Sequence, residues 1–179
     1  MLAYVFVVLA IVFRVAVAYH AVPLLYAFPN MTPSLLYFGA RSPRKWMWAP
    51  LLLMAAGDLY LTRVVYHYPF KADQFVIWAW YAAMILLGGL LRNKAGWARI
   101  AGASLAGSVS FFLVSNFAVW LVWDMYPKTL AGLATCYTLA LPFFRNGVLG
   151  DLMFTAAFFG IGAMLSAREP AEAKVPVTR

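Results

Sequence analysis

Apolar runs of roughly 17–25 residues recur along this chain, and none has the alternation of apolar and polar positions that a membrane-spanning strand needs. Lipid offers no partners to free backbone groups, so a segment crossing it must be a helix or part of a closed barrel. These runs select helices. Composition agrees: 65% of the 179 residues are hydrophobic and 11% charged, whereas the apolar share of a soluble domain is nearer half. The expectation is an all-α integral membrane protein, a six-transmembrane-helix bundle.

The spans are expected at about 2–19, a short second one around "PSLLYFGA", then 46–65, 74–91, 98–123 and 146–166. Pro23, Pro29 and Pro33 interrupt the chain between the first two. The segment 128–144, between Pro127 and the "LPFF" sequence, is apolar but short for a full crossing, and is expected as a re-entrant or interfacial helix that Pro142 ends. Residues 1–166 then form one transmembrane domain, and the polar 167–179 a disordered cytoplasmic tail. In the fifth span, Gly102, Ala106 and Ser110 recur at four-residue spacing beside Ala103 and Gly107, which permits close helix packing.

A formal charge of +8 invites comparison with nucleic-acid binders, but in a membrane chain it is the ordinary basic bias of cytoplasmic loops, and no nucleic-acid partner is expected. With six spans, both termini and the loops after spans 2 and 4 share one side. That side holds Arg41, Arg44, Lys45, Arg92, Lys94, Arg99, Arg168, Lys174 and Arg179, most of the 14 basic residues. It is therefore expected to be cytoplasmic, in the inner membrane of a bacterium. A single cysteine, Cys136, excludes an internal disulfide, and His20 and His67 stand apart from any ligand-spaced cluster, so neither metal nor cofactor is expected. The chain has no phosphate-binding loop and no nucleophile–base order. It is not expected to be an enzyme, and energy for any transport would come from a partner or an ion gradient.

The remaining polar residues collect in the outer half. Asn30, Asp58, Asn116, Lys128, Arg145, Asn146 and Asp151 all map there, with Arg14 late in the first span. Ionisable groups at membrane depth are costly and normally pair or line a watery cavity. Asp58–Arg63 and Asp151–Arg145 are candidate pairs. Alternatively, Arg145, Asn146 and Gly147 open the last helix, where free N–H groups and an arginine fork would favour an anion, with Asp151 a turn further in. The seven residues are expected to bind a small solute from outside, among aromatic side chains that either form an interfacial belt or stack a flat ligand.

The segments "FPNMTPSLLYFGA", "LLLMAAGDLYL", "SFFLVSNFAVWL" and "MYPKTLAGLATCYTLALPFFRNGVLGD" resemble an uncharacterised family of small bacterial six-helix membrane proteins, itself similar to the substrate-binding S components of energy-coupling-factor transporters. The resemblance covers about residues 20–165. It implies capture of a vitamin-like or heterocyclic compound, outer loops capping the site, and a transmembrane coupling subunit driven by two ATPases. The first span departs from that pattern, because "LAIVFRVAVAY" carries no clean Ala-xxx-Ala docking face. The expected function is a solute-uptake protein, the substrate-capturing subunit of an importer. The alternative is a non-catalytic structural or assembly subunit of a larger membrane complex.

Overall fold

A computed structural model describes residues 1–19, 31–92 and 95–168. Every regular element among these residues is a helix, with no strand: α1 Leu2–Ala18, α2 Met31–Arg41, α3 Trp48–Tyr60, α4 Asp73–Gly89, α5 Trp97–Val122 and α6 Leu130–Arg168. A 3-10 turn, Arg44–Trp46, leads into α3, and a π-helical turn, Leu61–Val65, continues it. Pro50 stands in the first turn of α3, where its missing N–H has no helical partner to lose. His67 ends the run beyond the π turn in a left-handed conformation, φ 53°.

Six spans were expected, and the structure supports fewer. Three of the helical segments are long and apolar enough to cross a membrane: Trp48–Val65, Trp97–Val122 and Leu130–Ala167. α1, with 17 residues, is apolar but shorter. The 11 residues described in α2 rise only about 16 Å, roughly half a hydrocarbon core. α2 is instead the centre of the bundle. Every residue from Met31 to Ala40 is buried, and α1, α4, α5 and α6 all pack on it.

Glycine makes the tightest of these contacts. A Cβ on Gly39 would collide with the Ile85 carbonyl, and one on Gly88 with the Leu36 carbonyl, so α2 and α4 meet backbone to backbone. Gly107 and Gly162 likewise leave room for Thr32 and Tyr37 of α2. The α5 stripe is therefore split. Ala103 and Gly107 are buried inside the chain, whereas Gly102 and Ala106 are exposed and Gly102 faces open space.

The expected break before the last span is absent. α6 is one helix of 39 residues with Pro142 inside it, so the re-entrant or interfacial helix at 128–144 is corrected to the first part of α6. Proline removes one backbone donor, leaving the Thr138 carbonyl without its helical partner, but a single lost bond does not stop a helix held along its length by a neighbour. α5 is that neighbour: the Tyr137 hydroxyl donates to the Leu113 carbonyl at 2.7 Å, and the Phe112 ring lies 4.6 Å from Phe144. The same helix runs through Arg168, two residues into the expected tail. The rest of that tail lies outside the described residues.

Phe6 stacks on Phe158 at 4.1 Å, Tyr37 meets Phe159, and Gly160 faces Trp97. The start of α1, the end of α2, the start of α5 and the end of α6 thus share one end of the bundle, which also carries Arg41, Lys45, Arg92 and Arg99. There the Arg92 guanidinium donates to the carbonyls of Gly39 and Ser42, closing the C-terminus of α2. At the opposite end the Trp123 indole donates to Asp73 at 2.9 Å and Lys71 lies over the same ring, joining the start of α4 to the end of α5.

Candidate functional site

Arg14, one turn before the end of α1, meets Asp58 of α3 with 2.6 Å between Nη1 and Oδ1. Asp58 is 4% exposed, and two α4 side chains complete its shell: the Trp78 indole donates to Oδ2 at 3.1 Å and the Tyr81 hydroxyl to Oδ1 at 3.3 Å. The same hydroxyl lies 3.2 Å from the Met31 sulfur of α2. One buried carboxylate therefore ties three helices, and the Tyr81 hydroxyl carries the contact to a fourth. The expected Asp58–Arg63 pair is not formed, because positions five apart lie about 140° apart around a helix. Asp58 faces inward and Arg63 is exposed.

The Asp151–Arg145 pair fails for the same reason. Six residues displace the two by about 120°, leaving Arg145 exposed and Asp151 4% exposed. Ser108 of α5 donates to Asp151 Oδ2 at 2.7 Å. The other oxygen, Oδ1, is buried and has no hydrogen-bond partner among the described residues. One turn along, Thr155 donates to Ser104 at 3.0 Å, extending a polar seam between α5 and α6.

Arg14 and Asp151 both line a cavity of about 650 Å³ at the end of the bundle away from the basic rim. That volume lies within the range of small-molecule sites. Phe13, Tyr66, Trp80, Phe111, Phe112 and Phe144 supply aromatic walls; Thr32, Ser108, Ser115, Asn116 and Asn146 supply further polar groups. The π turn and the middle of α6 are what bring Leu61, Tyr66 and Ala140 to the rim. Phe143 also lines the cavity and is 77% exposed, so the space reaches the outer surface of the bundle.

Of the seven residues expected to bind a solute, Asn116, Asn146 and Asp151 line this cavity. Asp58 stands behind its wall, holding Arg14. Lys128 does not line it: its ammonium donates to the Trp120 carbonyl and, at 2.6 Å, to that of Trp123, closing the C-terminus of α5. Arg145 does not line it either, and the anion site expected at a helix start is corrected, since Arg145 and Asn146 lie mid-helix, where backbone N–H groups are already bonded. Asn30 lies outside the described residues. Among these residues no group of His, Cys, Asp and Glu could hold a metal ion.

Residues 1–173 match the model of a family described as a family of unknown function, DUF6580. The chain belongs to that family. No curated protein and no solved structure matches it. DUF6580 membership covers nearly the whole chain, including every helix that forms the cavity, and assigns no activity to it.

Proposed function

We propose that this chain is a multi-pass protein of the bacterial inner membrane, with both termini cytoplasmic, that captures a small solute from the outer side. It is a binding protein without catalysis, the substrate-capturing subunit of an importer for a vitamin-like or heterocyclic metabolite, energised by a transmembrane coupling subunit with ATPases. One observation carries the reading. A cavity of about 650 Å³, walled by aromatic rings, joins Arg14 from one helix and Asp151 from another at the end opposite the basic rim. A purely structural ion pair needs no such space. Asn116, Asn146 and Asp151 contact the solute in this reading, while Asp58 positions Arg14.

The exposed Gly102 and Ala106 favour a second reading, in which the chain is a structural or assembly subunit holding a partner helix on α5. Mass spectrometry of small molecules released from gently purified protein separates the two. Capture predicts a stoichiometric compound present in wild type and in Arg145→Ala and absent from folded Asp151→Asn. An empty wild type that purifies with a defined membrane partner refutes capture in favour of the second reading.

A further inference from the structure

We infer that the cavity selects a cationic, N–H-donating aromatic compound, an amidine, amine or amino-heterocycle, over an anion of the same shape. The inference rests on the capture reading and adds the charge class of the solute. Among the described residues the charged side chains lining the cavity are Arg14 and Asp151. Arg14 is already balanced by Asp58 at 2.6 Å. Asp58 is further held by Trp78 and Tyr81, so its charge stays with Arg14. The uncompensated side chain is Asp151. The segment 20–30 contains no Lys, Arg, Asp or Glu.

The hydrogen-bond inventory points the same way. The Asn116 amide donates one N–H to the Phe112 carbonyl at 2.8 Å; a carbonyl can only accept, so the bond fixes which end of the amide is the NH2 and leaves Oδ1 as an acceptor. Ser115 gives its hydroxyl hydrogen to the Phe111 carbonyl at 2.6 Å, which likewise leaves lone pairs. Ser115 and Asn116 thus present acceptors to the cavity that Asp151 also lines, and they call for donors on the ligand. The ring faces of the aromatic wall add to this, since they attract cations and repel anions. An anionic ligand would meet Asp151 as a like charge in a poorly hydrated site.

Benzamidine, benzamide and benzoate form a near-isosteric series of cation, neutral donor and anion that tests the inference on the full chain in detergent. Dissociation constants are read from thermal shifts across a concentration series. Benzamidine is expected to bind wild type about tenfold or more tighter than benzoate, with benzamide between, as one partly screened charge contact would produce. In Asp151→Asn the cation and the anion should come within about threefold of each other. Should that variant not fold, the order of the three probes on wild type decides by itself. Benzoate binding as well as or better than benzamidine, or discrimination that survives in folded Asp151→Asn, overturns the charge class and leaves capture standing. Absence of any shift from all three overturns capture as well.

Discussion

Replacing Arg14 and Asp58 singly and together with leucine tests whether this pair holds the bundle. Arg14→Leu leaves the Asp58 carboxylate, 4% exposed, with only the Trp78 and Tyr81 donors. Breaking a buried ion pair by removing one partner costs about 3–5 kcal/mol. The Arg14 side chain is 23% exposed on the cavity, so water screens part of the interaction and the lower bound, about 3 kcal/mol, applies. Asp58→Leu strands the guanidinium and also deprives the Trp78 indole of its acceptor; the Tyr81 hydroxyl still has the Met31 sulfur. About 4 kcal/mol is expected. In the double variant no unbalanced charge remains, and only the donor losses persist. The double should therefore fall short of the sum of the singles by about 3 kcal/mol. Unfolding by SDS in mixed micelles, followed by helical circular dichroism, measures all three. Singles that add, or an Arg14→Leu cost below about 1 kcal/mol, would refute the view of Asp58 as the centre of the helix contacts.

Gly39→Ala should destabilise the same assay by about 1–3 kcal/mol or more, because its Cβ meets the rigid Ile85 carbonyl; Gly102→Ala, which meets nothing, should be neutral or stabilising by up to about 1 kcal/mol. Equal effects at the two sites would count against backbone contact between α2 and α4. Lys128→Ala should cost about 0.5 kcal/mol through loss of the α5 cap and leave solute release unchanged; loss of the solute from folded protein would return Lys128 to the site. Cys136, 2% exposed beneath the Asn116 carbonyl, should resist maleimide labelling until the protein is denatured, so labelling at the rate of the unfolded chain would show that the α5–α6 contact opens freely.

The helices were legible because long apolar runs leave few alternatives: four of the expected spans overlap α1, α3, α4 and α5 closely, and the last one falls within the longer α6. α2 was recognised only as a short, uncertain segment. Thr32, Pro33, Ser34 and Gly39 give it no lipid-facing signature, for it is wrapped by protein and faces no lipid to select for one. Pro142 misled in the opposite direction. A helix breaker in sequence is a local cue, and the packing of α6 along α5 is not visible locally. For the site, the clustering of polar residues at one end was readable from helix direction alone, and it brought Asn116, Asn146 and Asp151 together. Which cation faces which anion was not readable, since rotation about each helix axis decides whether Asp58 meets Arg63 or Arg14. The lone arginine within the otherwise apolar α1 was the cue that deserved the weight given to Arg145 and Lys128. Ser108 and Ser115 carried none, being ordinary small residues of an apolar helix.

The central position of α2 has a consequence for biogenesis. Its described residues are buried by other parts of the chain. Its stability comes from α4, whose matching glycine lies 49 residues later in the chain (88 − 39), and from α6, which is made last. The packing of α2 is therefore completed only after the later helices have been made. Until α4 is made, Gly39 lacks the backbone it packs against, and a chain truncated before Gly88 is expected to expose the buried face of α2 and to be cleared by proteolysis.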